Sequence, residues 1–144
     1  MADPNTQQAA GPRYVKEFFT YELDFAAVAN GSSASSSFNI QADSDFVLQK
    51  LAYFADIAAA AQTANTRVIP LMTTVITDTG SGRQLMSAAV PVVSLFGTGE
   101  LPFILPTPRL FQARSNVSVT VANFDAAATY NLKLSFIGYK QYQL

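Results

Sequence analysis

Over residues 130–136 every second side chain is apolar: Tyr130, Leu132, Leu134 and Phe136 alternate with Asn131, Lys133 and Ser135. A helix would scatter these seven residues around its circumference. A strand sends successive side chains to opposite faces, so the pattern specifies a half-buried β-strand. The same period recurs at Val117, Val119 and Val121, separated by Ser118 and Thr120, and at Phe19, Tyr21, Leu23 and Phe25, separated by Thr20, Glu22 and Asp24. The loop FDAAAT at 124–129 is expected to join the two later strands as a pair.

The rest of the chain extends the pattern. Residues 30–37, NGSSASSS, read as a turn and polar loop, after which Phe38, Ile40 and Ala42 alternate with Asn39 and Gln41; a hairpin is the simplest link to the strand before it. A strand is expected over 46–55, although Phe46, Leu48, Leu51, Phe54 and Ile57 fit neither period cleanly, and AAAAQTANT at 58–66 reads as a long loop or a short helical turn. Residues 67–77, RVIPLMTTVIT, are β-branched and apolar, with Pro70 indicating an edge position or bulge. Pro91, Gly97, Gly99, Pro102, Pro106 and Pro108 then exclude a long helix between Leu85 and Arg109. About eight segments punctuated by turns predict an all-β fold: one antiparallel β-sandwich or jelly roll over 14–144, preceded by a flexible arm at 1–13.

Composition prunes the available chemistry. The chain of 144 residues is one ordinary domain in size, with 49% hydrophobic but only 13% charged residues, about half the usual charged share of roughly 25%. So few charges suit a subunit covered by neighbours, or else a free-standing Ser/Thr-rich sandwich. The absence of Cys and His removes disulfides, thiolates, nearly all transition-metal sites and every His-dependent triad. Nine basic and ten acidic residues give a net charge of −1, which leaves no electrostatic footprint for nucleic acid or an anionic membrane. No apolar run is long enough to span a bilayer and the first residues do not resemble a signal peptide, so the chain reads as soluble and unexported.

The sharpest local motif is Asp78-Thr79-Gly80-Ser81, which matches the D-T-G-S signature of aspartic proteases, in which two carboxylates share a proton and activate water. Phe136-Ile137-Gly138 would supply the later apolar-apolar-Gly segment and Phe96-Gly97-Thr98-Gly99 a flap. Against this, Thr77 precedes the Asp where an apolar residue is usual, and DTGSG is a natural hairpin turn; the turn is the preferred reading. Gly80-Ser81-Gly82-Arg83 lacks the following helix that a phosphate loop needs. Asp43, Asp45 and Asp56 lack the spacing of a calcium loop, and Asn116-Val117-Ser118 is a glycosylation pattern only in an exported chain. No catalytic residue, cofactor or metal is assigned. Of the eleven Phe and six Tyr, most fall on apolar strand parity and belong to the core; Tyr139 and Tyr142 are the expected exposed contacts.

The order of segments FNIQADSDFVLQKL, VITDTGSGRQLMSAAVPV, LFGTGELPFILPTPRLF, SNVSVTVANF and YNLKLSFIGYK resembles that of small virion structural proteins of tailed bacteriophages. These are similar to jelly-roll capsid cement or decoration subunits, which clamp adjacent major capsid proteins from outside. The resemblance implies a homo-oligomer located in the virion, assembled in the host cytoplasm, with the major capsid protein as partner. Related sandwiches serve at the neck, collar, baseplate and fibre attachment points. In such a particle the arm at 1–13 and the tail YKQYQL are the segments expected to reach neighbours.

Overall fold

The computed structural model describes residues 13–58 and 67–144. The expected arm, apart from Arg13, and the expected 58–66 connection, apart from Ala58, lie outside the described residues. Nine strands and one short helix are present among them: β1 (Tyr14–Val28), β2 (Ser33–Asn39), β3 (Asp45–Ile57), β4 (Met72–Asp78), β5 (Arg83–Gln84), β6 (Val90–Pro91), α1 (Val92–Leu95), β7 (Phe103–Phe111), β8 (Asn116–Asn123) and β9 (Tyr130–Gln143).

The strands form two sheets. Sheet A has the order β1-β9-β3-β7, and sheet B the order β2-β8-β4-β5 with β6 also on β4. All of these pairings are antiparallel. With β5 and β6 taken as one interrupted strand, the chain is a ribbon of nested pairs, β1 with β9, β2 with β8, β3 with β7 and β4 with β5/β6, wound into two layers. This is the eight-stranded jelly roll, and the all-β expectation holds.

The expected neighbours do not. The segment containing Phe38 is not hairpin-paired with β1, because β2 lies in sheet B beside β8. The strand at Val117 does not pair with the strand at Tyr130 either, because β8 is in sheet B and β9 in sheet A. The 124–129 loop crosses between layers and is held by side chains. Asn123 donates through Nδ2 to the carbonyls of Val28 and Ala128, and the Asp125 carboxylate accepts from the amides of Ala127 and Ala128 and from the Tyr130 hydroxyl at 2.6 Å. These bonds, the Tyr130 hydroxyl first, hold Asp125 down to a pKa of about 2. Burial, reinforced by the bond to Asp125, pushes Tyr130 up. Residues 33–37 are strand rather than polar loop: Ser33, Ser35 and Ser37 face solvent, while Ala34 and Ser36 point half-buried between the sheets. The segment 139–144 is not a free tail, since residues up to Gln143 continue β9 against β1.

The core lies where the parity pattern puts it. Tyr21, Leu23 and Phe25 from β1, Val117, Val119 and Val121 from β8, and Leu132, Leu134 and Phe136 from β9 are all buried. Tyr21 stacks on Phe38 at 4.8 Å between ring centres and meets Phe46 edge-on at 4.8 Å, tying the two sheets together. Each such side chain contributes roughly 1.5–3 kcal/mol by leaving water. The mixed period of residues 46–57 has a structural cause. A bulge between Leu48 and Lys50 inserts one residue, so that Phe46, Leu48, Leu51 and Ala55 all join the core although their spacing changes midway.

Candidate functional site

Two regions merit a site-level description: the Asp78 turn with the cleft beside it, and the outer face of sheet A.

Asp78 ends β4 and starts the connection to β5, with Thr77 opposite Gln84 and Asp78 opposite Arg83. Its carboxylate is committed to the turn. Oδ1 accepts the Gly80 amide at 3.0 Å and Oδ2 accepts the Ser81 hydroxyl at 3.0 Å. The Arg109 guanidinium lies 3.5 Å from Oδ2, and the Asp78 side chain is only 7% exposed. The Asp78 carboxylate is thus bonded within its own turn and paired with a cation from β7. The other protease-like segments also have structural places. Gly97 bonds to β3 through its amide to Leu51 and its carbonyl to Tyr53, at 3.1 and 2.8 Å, so Phe96-Gly97-Thr98-Gly99 is pinned to β3 at Gly97, with Phe96 in the core. Gly138 lies in β9 against the β3 bulge, where a Cβ would collide with the carbonyl oxygen of Val47.

Beside the turn, a cleft of about 820 Å³ separates the edges of the two sheets, β7 in sheet A and β5 in sheet B. Leu85, Met86, Phe103 and Leu105 form its apolar wall, and Asp78, Arg83 and Arg109 are its charged residues, with Asp78 and Arg109 paired. Arg109 Nε is buried without a hydrogen-bond partner. The size and lining fit a small ligand pocket with one more basic than acidic residue, and it contains neither Cys nor His.

The outer face of sheet A is built by register. Phe18 stands opposite Tyr139, Tyr139 opposite Val47, and Val47 opposite Leu110, making one apolar row across all four strands. The next row is Thr20, Ile137, Lys50 and Ile104. Phe18 is 78% exposed and Ile104 66%. Val47 is buried although it lies outside the inter-sheet core, which shows how closely these outer side chains cover one another. Lys16 lies on one side of these rows and Glu22, Asp24 and Lys133 on the other, while half-buried Lys50 is a charged residue within them. Of the two rows, Phe18, Ile104 and Leu110 are the apolar side chains left exposed on this face.

The remaining sequence candidates occupy structural positions. Asp45 accepts the Ala113 amide at 2.8 Å, Asp43 pairs with Lys140 at 3.3 Å, and Asp56 is buried near the far end of β3, so these carboxylates are not gathered into one site. Among the described residues no three His, Cys, Asp or Glu side chains cluster to hold a metal. Gly80, Ser81, Gly82 and Arg83 lead into a two-residue strand rather than a helix. Asn116 bonds to Asn39 across β8 and β2 at 2.9 Å. Tyr139 and Tyr142, expected as exposed contacts, are half-buried; Lys16 lies 5.2 Å over the Tyr139 ring, and the Tyr142 hydroxyl donates to Glu17. The exposed apolar side chains on this face instead include Phe18, Ile104 and Leu110. Phe18 falls on the polar parity of β1, and that break in alternation was the available signal.

No protein-family model matches the chain and no curated protein matches it. Among solved structures, a chain of the cyanophage Pam1 capsid asymmetric unit superposes with a TM-score of 0.39 at 17% identity, covering 97% of this chain and 91% of that one. The infectious bursal disease virus VP2 subviral particle gives 0.31 at 12% identity, covering 92% of this chain and 37% of that one. An exo-β-1,3-galactanase from Phanerochaete chrysosporium gives 0.31 at 10% identity, covering 90% of this chain and 30% of that one. Overlaps of this size carry no function across to the chain.

Proposed function

We propose that the chain is a non-enzymatic structural protein of a bacteriophage particle, a head cement or decoration subunit that lays the outer face of sheet A on the major capsid protein lattice. The observation that carries this reading is the in-register row Phe18, Tyr139, Val47 and Leu110 on the outer face of sheet A, with Phe18 and Leu110 exposed. A jelly roll alone does not specify a role, since the fold also serves lectins and cupins; the surface and the order of segments described above point to the virion. Weak contacts repeated over a symmetric shell add through multivalency, so a modest patch suffices on each copy. The neck, collar, baseplate and fibre attachment points are alternative locations with the same surface logic. An aspartic protease acting through Asp78 is a third reading, disfavoured by the ion pair with Arg109.

The test is quantitative mass spectrometry of purified particles, followed by rebinding of the purified chain to particles stripped of it. A copy number on the scale of the whole head lattice is expected, with rebinding lost in a Phe18→Asp, Leu110→Asp double variant that keeps its thermal transition. A copy number matching a single ring moves the protein to the neck or tail, and absence from particles removes the virion reading. Acid-pH cleavage of a peptide library that disappears in Asp78→Asn would establish the protease instead.

A further inference from the structure

The sheet edges are not equally protected. A free edge presents a row of unpaired backbone amides and carbonyls, and folds usually blunt it with proline, a bulge or brevity. In sheet B, β2 is a short edge and β5 has two residues. In sheet A, β7 carries Pro106 and Pro108, and its residues between Ile104 and Arg109 make no pairs with β3. The other edge of sheet A is β1, 15 residues long, without proline and regular up to the bulge between Phe25 and Val28, where Ala27 takes a φ of 51°. Among the described residues no strand covers this edge.

We infer that the β1 edge is a self-association site, at which a second copy adds its own β1 antiparallel across a two-fold axis at Phe19 to give one continuous eight-stranded sheet. The pleat requires outward residues to meet outward residues, so the axis must pass through a residue rather than between two. Placed at Phe19, it sets Lys16 opposite Glu22 of the second copy, and Glu22 opposite its Lys16. Both side chains are exposed, and Lys16 has no carboxylate partner among the described residues, whereas Asp24 already pairs with Lys133 at 3.7 Å. The same register sets Phe18 opposite Thr20 of the second copy. The Phe18-Tyr139-Val47-Leu110 row of each copy then runs into the mixed Thr20-Ile137-Lys50-Ile104 row of the other, so that the two rows form one continuous band across the joined sheet. Shifting the axis to Thr20 would instead place Phe18 opposite Glu22. At Phe19 the overlap spans residues 14–24, ending just before the bulge. The proline-bearing β7 edge stops further growth, so the assembly closes as a dimer.

Sedimentation of the purified chain over a concentration series tests this, independently of whether it binds any particle. The expected result is a monomer–dimer equilibrium. Lys16→Glu and Glu22→Lys, both at exposed positions, should each weaken it about tenfold by placing like charges in two symmetric pairs. The double variant, which restores opposite charges, should return to the wild-type constant, and Asp24→Lys, opposite Tyr14 rather than a charge, should weaken it less than Glu22→Lys. A wild-type chain that stays monomeric at every concentration overturns the inference, as does a double variant as weak as the singles. Weakening by Asp24→Lys equal to that by Glu22→Lys overturns the register.

Discussion

Sheets A and B share one core but present different chemistry to solvent. Sheet B is regular: β2, β8 and β4 pair without a register shift, and their outward residues are Ser33, Ser35, Ser37, Ser118, Thr120, Ala122, Thr73, Val75 and Thr77 with Asn39 and Asn116, not one of them charged. Hydroxyls bond across it, as between Ser35 and Thr120 at 2.9 Å. Sheet A is irregular, with bulges in β1 and β3, and mixes exposed aromatics and aliphatics with flanking charge. Bulges re-aim side chains and are frequent at sheet edges. The uncharged, hydrogen-bonded face of sheet B is satisfied within the chain, while sheet A leaves apolar area and backbone edge groups that another chain can cover. The low overall charge therefore has two sources, a polar but uncharged sheet and an apolar one.

The contrast can be tested by substitution. The largest effect is expected from Gly138→Val, which drives a side chain into the β3 backbone at the bulge; it should cost about 3 kcal/mol or more, or prevent folding, whereas Ala122→Val on the regular outer face of sheet B should stay within about 0.5 kcal/mol. Denaturant titration of both variants checks this, and equal costs would remove the distinction. Thr74 of β4 faces the core fully buried, with its hydroxyl unpartnered. Thr74→Val should therefore stabilise the protein by about 1 kcal/mol, visible as a higher denaturation midpoint. Ser35→Ala removes one cross-strand hydroxyl bond and should cost about 0.5 kcal/mol.

The smallest effect is expected in the loop that joins the sheets. The Asp125 carboxyl is lowered from 3.8 to about 2, so its contribution to stability is complete above the unfolded value and is lost as pH falls through the folded one. Thermal melts between pH 4 and pH 2 should show a steeper fall for the wild type than for Asp125→Asn. Parallel curves would mean the loop bonds do not couple to folding.

Much of this fold was legible because burial follows parity. Phe19, Tyr21, Leu23, Phe25, Val117, Val119, Val121 and the alternating residues of β9 took the faces their spacing predicts, and DTGSG formed the turn its residues favour. The serine-rich β2 was not legible: with Ala34 and Ser36 inward and serines outward, its alternation lacks hydrophobic contrast, and strand conformation comes from pairing with β8. The outer row of sheet A was only partly visible. Phe18 and Ile104 stand out as apolar residues on outward positions, but they lie far apart in sequence, and only register places them in adjacent rows of one surface.

The sequence by itself determined the all-β class, the inward face of most strands and the scarcity of reactive side chains, because strand period and residue chemistry are local properties. Tertiary structure decided which strands are neighbours. A jelly roll sends most successive strands to opposite layers, the β4–β5/β6 hairpin excepted, so β1 meets β9 rather than β2, and β8 sits across from β9 rather than beside it. Those pairings depend on hydrogen bonds and packing between segments far apart in sequence, and the outer face of sheet A, its free β1 edge and the Asp78–Arg109 pair all follow from them.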